Sequence, residues 1–551
     1  MSSRRRPRWL RMPGGAALGW ILLGALALRL WSIKHGLPFV YSVDEEQHFV
    51  PHAVHMIGGG LNPHYFENPP ALTYLLAAVF KLRFHAGFPF GSSGLARAFK
   101  HDPTAVFTTA RVVVALLGTL SVGLIYWAGR RFYDRRVGLL AAILMACAFL
   151  PVFYAKQALN DAVTLLPLTV ALVGCLGVYE RARTWEWALA GAAIGVAIDV
   201  KYTAGAMVAV LAVAALARLI EKRLTLRHLV TGAAVALAAL IVAVIVLNPY
   251  ALVDFSLFKH QVLNQAGTAG SSGKIGQSSQ PGWIYYIWTL TWGFGWVPLV
   301  AAAAGALLAL RADRVRGLML VVFPILLWLF LGGQARHFGR WYMPAYPALT
   351  ILAAYAAVRA VDALPSVWAS RRRPALVVAA GVLLAMQGLW TTVRVNSVLA
   401  HTDTRTEARQ WLEHNVPAGS GMVVEPAVFP ADWLKVGSPK HAYRLFPIKP
   451  PFQAYEKKLR PALLQQYRQQ GYCYVLVASY QRDRGLNAGF AGARNYYDAL
   501  ASQSQLVARF SPYRFGAKPV KFNFDLSYNF VPRAYRLPGP LLELHRLNGC
   551  Q

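Results

Sequence analysis

The sequence GGAALGWILLGALALRLWSI, residues 14–33, decides the fold class, and it is soon followed by Val43-Asp44-Glu45-Glu46-Gln47-His48. An apolar run of this length is what a helix needs to cross the hydrocarbon core of a bilayer. The second stretch sets three consecutive carboxylates in a chain of 24 acidic and 56 basic residues. If the first stretch spans a membrane, these carboxylates lie where the chain first emerges.

The composition of the whole chain indicates a polytopic membrane protein. Its 551 residues are 56% hydrophobic and 15% charged, whereas soluble domains are roughly 25% charged. The excess of apolar residues comes in runs of membrane-spanning length, which excludes an ordinary soluble protein. The net charge of +32 has two compatible explanations. Lys and Arg residues collect in cytoplasmic loops and set the orientation of a membrane protein. The same charge could also attract an anionic ligand such as a phosphate or an anionic lipid surface.

Eleven segments have the length and hydropathy of membrane spans. They are residues 14–33, 105–129, 137–155, 162–180, 186–201, 203–220, 229–247, 285–309, 316–333, 342–359 and 374–394. The hydropathy is continuous over 186–220, and we divide that stretch at Asp199-Val200-Lys201-Tyr202 because it is too long for one span.

The charges of the loops support this count. With the N-terminus in the cytoplasm, every loop on that side is rich in arginine, as the positive-inside rule requires. These loops contain Arg130, Arg131, Arg135, Arg136, Arg181, Arg183, Arg218, Lys222, Arg223, Arg227, Arg311, Arg314, Arg316, Arg371, Arg372 and Arg373. Without the break at Lys201, all later loops would change side and the pattern would be lost.

This topology gives two large outer loops. Residues 34–104 form the first, and its apolar patches around 71–82 predict a helix lying along the membrane interface. Residues 248–284 form the second. Its middle, Gly267 to Gln280, is rich in Gly and Ser and predicts a mobile loop, which is either a lid over a site or an inert linker.

The chain divides into a membrane domain, residues 1–399, and an outer soluble α/β domain, residues 400–551. Arg405 to His414 has helical spacing and is followed by a Pro-Gly stop. Met422-Val423-Val424 and Tyr472 to Val477 have the character of short buried strands.

The four cysteines do not form a recognisable framework. Cys147 and Cys175 lie in apolar runs, where they fill space. Cys473 and Cys550 lie in the polar tail and could pair in an oxidising compartment, although their spacing does not decide it.

Polar and ionisable residues recur at the outer ends of the spans. Ionisable groups at a membrane boundary are expensive and indicate function. The acidic ones come early in the chain, namely Asp44, Glu45, Glu67 and Asp161, and the basic ones come late, namely Lys201, Arg336 and Arg340. A carboxylate can take a proton from an acceptor hydroxyl, while cations hold a phosphate leaving group.

Several of these residues also have a purely structural interpretation, which for Asp44 is that of an exposed polar flank. Asp161 could cap the helix of the fourth span, and Lys201 could extend to the interface. Arg336 and Arg340 could be flanking charges, although arginine is disfavoured in an outer loop. Glu46 is interpreted as a solvated neighbour of Asp44.

Several short motifs, all on the outer side, resemble one known family. They are Asp44-Glu45, Asn62-Pro63-His64-Tyr65-Phe66-Glu67-Asn68-Pro69-Pro70, Asp161, Lys201-Tyr202-Thr203, Arg340-Trp341-Tyr342-Met343-Pro344-Ala345-Tyr346-Pro347 and the tail segment Thr404 to Leu412. With them the chain resembles the polyprenyl-phosphate-sugar-dependent glycosyltransferases of the GT-C fold. Within that fold, it is similar to the glycosyltransferase family 39-like group of protein mannosyltransferases and aminoarabinose lipid A transferases.

The resemblance implies an inverting transfer of a hexose or pentose to an acceptor hydroxyl or phosphate outside the cytoplasm. Asp44 would be the general base, with Glu45, Glu67 and Asp161 shaping the site. The polyprenyl phosphate would be held by Lys201, Tyr202, Arg336, Arg340 and Arg111, and the acceptor and sugar by His48, Asn68 and Tyr342. The partners would be a lipid-linked donor, a glycan, lipid or protein acceptor and membrane lipids, but no nucleic acid. The location would be a bacterial inner membrane.

Two points stay open within this resemblance. Asn68 stands where the aminoarabinose transferases have Lys, which removes a cation expected near the donor phosphate. Some relatives use a divalent metal, for which Asp44, Glu45, Glu67 and His260 could supply ligands without a diagnostic spacing.

Two other functions compete with glycosyl transfer. The main rival is a transporter or flippase for an anionic lipid-linked substrate. That class places charges near the bilayer midplane and often has inverted repeats, neither of which the sequence shows. A non-catalytic scaffold would leave the clustered carboxylates unexplained.

Overall fold

The computed structural model describes residues 14–84, 93–277, 279–365, 372–426, 433–434, 443–448 and 454–550. Helices dominate its first 400 residues. They are α1 Gly14–Leu30, α2 Val43–Gln47, α3 Phe49–Gly59, α4 Ala71–Arg83, α5 Ser93–His101, α6 Thr104–Phe132, α7 Arg135–Cys147, α8 Phe149–Tyr154, α9 Asn160–Val163, α10 Leu165–Glu180, α11 Thr184–Val200, α12 Val208–Ile220, α13 Leu226–Leu247, α14 Tyr250–Val253, α15 Phe255–Ser271, α16 Gly282–Leu290, α17 Trp296–Ala312, α18 Arg314–Gly332, α19 Tyr346–Asp362 and α20 Arg373–Leu399.

The predicted spans all coincide with helices. Among the described residues, eight helices are long and apolar enough to cross a membrane, and Gly15–Leu30 is a shorter apolar helix. The segment predicted at 137–155 is broken between α7 and α8, and α11 has 17 residues. The chain is therefore a multi-pass membrane protein, while the number eleven stays a prediction. Arg371, counted among the inner-loop arginines, lies outside the described residues.

The break predicted near Lys201 is confirmed. Helix α11 ends at Val200, and a 3₁₀ turn, Tyr202–Met207, leads into α12. Glycines allow α11 to approach its neighbour α13 closely, since a Cβ at Gly191 would lie 2.0 Å from the Ala236 carbonyl oxygen. Small residues at such crossings let helix backbones pack against each other in a membrane.

The first outer loop folds into short helices. α2 carries the three carboxylates, and α4 lies where the sequence predicts an interfacial helix. The prediction for Gly267–Gln280 is wrong in its first part, because α15 continues through Ser271. Two neighbouring backbone amides, those of Ala335 and Arg336, donate to the Ala269 carbonyl at 3.1 and 3.0 Å and stabilise that helix end.

The C-terminal part contains a five-stranded mixed sheet. Its strands are β1 Gly421–Val424, β2 Arg444–Leu445, β3 Tyr472–Ala478, β4 Ser504–Phe510 and β5 Leu542–Leu547, in the order β2-β1-β3-β5-β4. β1 is parallel to β2 and β3, whereas β5 is antiparallel to β3 and β4. The helices around it are α21 Thr404–Asn415, α22 Ala462–Gln469, α23 Ser479–Asn487 and α24 Ala491–Ser502.

These elements confirm the predicted small α/β domain, including the helix at 405–414 and both strands. Cys473 on β3 forms a disulfide with Cys550, with the two Cα atoms 5.6 Å apart. The pairing that the sequence left open is thus present. The domain boundary at residue 400 stays a prediction.

One segment of the C-terminal part returns to the membrane helices. A π-helical turn, Phe524–Asn529, precedes Phe530, whose ring is buried in the core of the membrane part. The Phe530 ring centroid lies 4.9 Å from that of Trp292 and 5.0 Å from that of Phe153. Aromatic pairs at these separations add to the free energy gained from burial. This ring therefore packs the C-terminal part against the membrane helices.

Candidate active site

A cavity of about 420 Å³ lies where the membrane helices meet the C-terminal part. It is lined from many elements of the chain. Among the lining residues are Asp44, Glu45, His48, Glu67, Asn68, Arg111, Asp161, Lys201, Lys274, Arg336, Arg340, Tyr480, Arg484, Phe524 and Phe530. Ten of the twelve site residues predicted from the sequence thus converge on one cavity, and Tyr202 and Tyr342 lie outside its lining.

Four charged side chains form an ion-pair network in this cavity. Arg340 Nη2 donates to Asp44 Oδ2 at 2.5 Å, and Lys201 Nζ donates to Asp161 Oδ1 at 2.5 Å. Arg340 Nε lies 3.6 Å from Asp161 Oδ2 and joins the two pairs. The Asp161 side chain is 4% exposed, whereas that of Asp44 is 35% exposed. Of these two carboxylates, Asp44 is therefore the one that a substrate can reach.

The pKa of Asp44 reflects these neighbours. Burial by itself would raise the pKa of this carboxyl group, but Arg340 and His48 outweigh burial and hold the pKa well below its ordinary value. Asp44 is ionised at neutral pH as a result. A carboxylate paired so closely with a guanidinium is also a weaker proton acceptor than a solvated one.

Glu45 is held at the cavity wall in a buried ion pair with Arg111. Arg111 Nε and Nη2 donate to Glu45 Oε1 and Oε2 at 2.7 and 2.8 Å, and both side chains are almost completely buried. Arg111 Nη1 donates to the backbone carbonyls of Ile33 and His35, and the Ala158 amide donates to Glu45. In this structure the pair joins the first outer loop to α6. Its predicted catalytic and phosphate-binding roles stay predictions.

The cavity is also lined by Glu67, Asn68 and His48. Glu67 is exposed and has no hydrogen bond or ion pair to any residue that the structure describes. Asn68 Nδ2 donates to the Tyr65 hydroxyl at 2.6 Å, and that hydroxyl lies 2.7 Å from His48 Nδ1. His48 Nε2 lies 3.5 Å from Asp44 Oδ1.

Two cations of the cavity wall are not neutralised by a carboxylate within the described part of the chain. Arg336 Nε donates to the Ser272 carbonyl at 3.3 Å, and Lys274 contributes its ammonium group. Burial, reinforced by Arg336, lowers the pKa of Lys274 to about 8. Sequence reasoning missed Lys274, although a single lysine in an otherwise Gly- and Ser-rich outer loop was a signal that could have indicated it.

The loop that carries Lys274 is fixed to its neighbour. Gln277 Nε2 lies 2.6 Å from His337 Nδ1, and the Lys274 amide donates to Gln277 Oε1 at 3.0 Å. These bonds place Lys274 beside Arg336. Of the two interpretations of this loop, a cover over a site fits better than an inert linker.

Two predicted residues support the site from outside the cavity. The Tyr202 hydroxyl donates to the Phe66 carbonyl at 2.9 Å, so it holds the segment that carries Glu67. The Tyr342 hydroxyl donates to the Pro324 carbonyl at 2.9 Å and is buried between helices.

The four proposed metal ligands do not converge. Glu45 is bound by Arg111, and His260 lies on the exposed face of α15 beside Asn264, at 3.2 Å. Within the described ranges, no three His, Cys, Asp or Glu side chains come together as a group that could hold a metal ion. The arrangement of these residues therefore does not fit a metal centre.

The C-terminal part closes the cavity, which the sequence did not predict. Tyr480 and Arg484 of α23, Phe524, Phe530 and Tyr535 all belong to the lining. The Tyr285 hydroxyl of α16 donates to Asp525 Oδ2 at 2.6 Å and ties this wall to the membrane helices.

Comparison with known proteins identifies the architecture. Residues 104–247 match the family model described as dolichyl-phosphate-mannose-protein mannosyltransferase. ArnT from Cupriavidus metallidurans bound to undecaprenyl phosphate is similar over 89% of this chain and 96% of that chain, with a TM-score of 0.54 at 17% identity. The chain has the GT-C fold. Its GT-C architecture is also similar to AglB, the oligosaccharyltransferase of Archaeoglobus fulgidus, in complex with an inhibitory peptide and a dolichol-phosphate. That likeness covers 92% of this chain and 74% of AglB, with a TM-score of 0.54 at 13% identity.

No curated protein sequence matches the chain. The GT-C fold and the resemblance predicted from the outer-loop motifs are nevertheless confirmed by the family match and these structures. At sequence identities below 20%, the similarity to these structures establishes the fold alone. The donor, sugar and acceptor have to be argued from the cavity itself.

Proposed function

We propose that this GT-C protein is an inverting glycosyltransferase that moves a sugar from a polyprenyl-phosphate donor to an acceptor on the extracytoplasmic side of a bacterial inner membrane. One observation carries the proposal. A single cavity combines a reachable carboxylate, Asp44, with two cations that lack a carboxylate partner in the described structure, Lys274 and Arg336. General-base chemistry and the binding of a phosphate leaving group need these two kinds of group together.

The donor phosphate would bind between Lys274 and Arg336. The phosphodiester of the donor carries one negative charge, which can pair with these two cations, and charge-assisted hydrogen bonds to it are stronger than neutral ones. Arg336 follows α18, which is long and apolar enough to cross a membrane, so the lipid chain can stay in the bilayer while the phosphate reaches the cavity. The cations would then stabilise the charge that grows on the phosphate as the sugar departs.

Asp44 would act from the other side of the sugar. Its carboxylate takes the proton of the acceptor hydroxyl as the hydroxyl oxygen bonds to the anomeric carbon. The bond from that carbon to the phosphate oxygen breaks, and the polyprenyl phosphate leaves with the electron pair. Because attack and departure occur on opposite faces, the configuration inverts.

Arg340 links these two halves of the reaction. In this structure Arg340 neutralises Asp44, and a bound phosphate would compete for the same guanidinium. Partial withdrawal of Arg340 raises the basicity of Asp44 when the donor is present. Lys201 keeps Asp161 neutralised throughout, at 2.5 Å.

Transfer by the purified full-length protein in lipid nanodiscs tests the proposal. Radiolabelled hexose and pentose polyprenyl phosphates are supplied with membrane glycolipid, glycan and peptide acceptors, and both donor consumption and product are measured. We expect the wild type to consume a donor, Asp44→Asn to lose at least ~100-fold in rate, and Glu46→Gln on the same helix to stay active.

Three outcomes would contradict the proposal. Intact donors under every condition would exclude a glycosyltransferase, and normal turnover by Asp44→Asn would exclude this base. Movement of an intact lipid-linked sugar across proteoliposomes, without cleavage, would favour the flippase. Mass spectrometry of surface glycolipids and glycoproteins from cells with and without the protein would then identify the acceptor.

A further inference from the structure

Four polar side chains of the first outer loop form a connected series that begins at the proposed base, Asp44. It runs from Asp44 to His48, from His48 to the Tyr65 hydroxyl at 2.7 Å, and from that hydroxyl to Asn68 Nδ2 at 2.6 Å. His48 follows Asp44 by four residues, so the α2 turn places the imidazole above the carboxylate.

The order of donors among these side chains favours one tautomer of His48. The amide nitrogen of Asn68 only donates, so the Tyr65 oxygen accepts its hydrogen bond. The single phenolic proton of Tyr65 is then free to be donated to His48 Nδ1. A neutral imidazole that accepts at Nδ1 carries its proton on Nε2, and Nε2 is the atom that faces Asp44 Oδ1 at 3.5 Å.

Packing holds this series of side chains in place. The Tyr65 ring stacks on His48 with centroids 5.6 Å apart and on His52 with centroids 4.3 Å apart. The Phe66 carbonyl next to it accepts the hydrogen bond from Tyr202. The Tyr65 ring is therefore held by stacking on two imidazoles, while its hydroxyl bridges His48 and Asn68.

We propose that His48, Tyr65 and Asn68 are positioning residues that orient the carboxylate of Asp44. This inference rests on the proposed function, in which Asp44 is the general base. The Nε2–H of His48 holds Oδ1, which leaves Oδ2, the atom now paired with Arg340, to face the acceptor hydroxyl. When the donor phosphate draws Arg340 away, Oδ2 takes the acceptor proton while Oδ1 keeps its partner.

The charged and titratable groups around this series of side chains come from several elements. Asp44 faces His48 from α2, His52 faces it from α3, and Tyr65 faces it from the loop. Arg340 reaches Asp44 from the turn before α19. Removal of the His48 donor therefore changes the protonation of Asp44 without removing its cation.

Four variants of the full-length protein in nanodiscs test the proposal. Tyr65→Phe keeps the stacked ring but loses the hydroxyl, His48→Phe loses both nitrogens, and His48→Gln keeps a side-chain N–H. His55→Gln, on the exposed side of α3, is the matched control. The readouts are kcat, KM for the donor and the pH profile of transfer, with thermal unfolding to establish that each variant is folded.

We expect kcat to fall about 10-fold in Tyr65→Phe and about 100-fold in His48→Phe, with the donor KM unchanged. The acid limb of the pH profile should move to higher pH in both, because Asp44 loses a donor to its ionised form. His48→Gln should recover part of the rate. An unchanged pH profile together with a wild-type kcat in Tyr65→Phe would overturn the proposal. Equal losses of kcat in the two His48 variants would also overturn it.

A second readout separates this inference from the proposed function. The ¹⁵N shifts of His48 report which ring nitrogen carries the proton, whether or not the protein transfers sugar. The wild type should show the Nε2–H tautomer, and Tyr65→Phe should show a mixture. Inactive wild-type protein with the Nε2–H tautomer would contradict the glycosyltransferase, whereas active wild-type protein with the Nδ1–H tautomer would contradict the positioning role.

Discussion

Arg340 Nη2 lies 2.5 Å from Asp44 Oδ2, although the two residues are 296 positions apart in the chain. The Arg340 guanidinium also lies over the Phe338 and Tyr154 rings, at 4.8 and 5.7 Å from their centroids. This contact joins the first outer loop to the turn before α19. It brings together the proposed base and the cation that regulates its basicity.

Replacement of Arg340 by Gln should therefore change the pH profile of transfer. Arg340 lowers the pKa of Asp44, so its loss lets that pKa rise. Since the ionised form of Asp44 is the active base, the rate of the variant should fall at higher pH than that of the wild type as the solution is acidified. An acid limb at the same pH in both proteins would contradict the pairing as the cause.

Lys274→Ala should weaken donor binding. The loss of one charge-assisted hydrogen bond to a phosphate is worth about 1.5–3 kcal/mol, or roughly 10-fold to 100-fold in Kd. Because the pKa of Lys274 is about 8, the affinity of the wild type for undecaprenyl phosphate should also fall as the pH rises through 8. Equilibrium binding in nanodiscs measures both effects.

Lys259→Ala is the matched control for this prediction, because Lys259 is exposed on α15 and does not belong to the cavity lining. Its affinity should equal that of the wild type over the same pH range. Equal affinities of Lys274→Ala and the wild type would place the phosphate elsewhere.

Arg111→Ala should destabilise the fold and leave donor binding by the folded protein intact. Removal of one partner of a buried ion pair costs about 3–5 kcal/mol, because Glu45 would keep an uncompensated charge. Thermal unfolding in detergent, with exposed Arg97→Ala as the control, measures the loss. The double variant Glu45→Leu with Arg111→Met should recover part of it. A stable Arg111→Ala protein with weakened donor binding would instead support the phosphate role predicted from the sequence.

Phe530→Ala should loosen the wall that the C-terminal part gives to the cavity. The ring fills a buried site among Trp292, Phe149 and Phe153, and its removal costs about 3–5 kcal/mol. Hydrogen exchange over residues 524–535 should accelerate, and the rate of transfer should fall. Phe515→Ala, which removes a fully exposed ring, should change neither. Unchanged exchange in Phe530→Ala would show that Tyr285 and Asp525 hold the segment without it.

The sequence predicted the positions of helices and of charged site residues well, because in both cases one physical constraint applies to a whole segment of the chain. Hydropathy located most of the long apolar helices within a few residues of their observed bounds, because the thickness of the bilayer sets the length of a spanning helix. The sign of the charges on the outer ends located Asp44, Asp161, Lys201 and Arg340 on one face, because ionised groups at a membrane boundary need a reason to be there.

The directions of individual side chains could not be predicted in the same way. Asp44 and Glu45 are neighbours on a five-residue helix, yet one side chain enters the cavity and the other a buried pair with Arg111. Successive helical residues point about 100° apart, and which of them faces inward depends on partners far along the chain. The same holds for Lys274, whose place is set by the bonds of its loop to residues 334–337.

The docking of Phe530 has a consequence for biogenesis. The residues that complete the cavity, 524–539, are made after every membrane helix has been synthesised. A nascent chain with all its helices inserted still has an open cavity, and the enclosure forms only after residues 524–539 have folded against those helices. In the proposed topology, this last step takes place outside the cytoplasm, so the proposed enzyme would become active only after its C-terminal part has crossed the membrane.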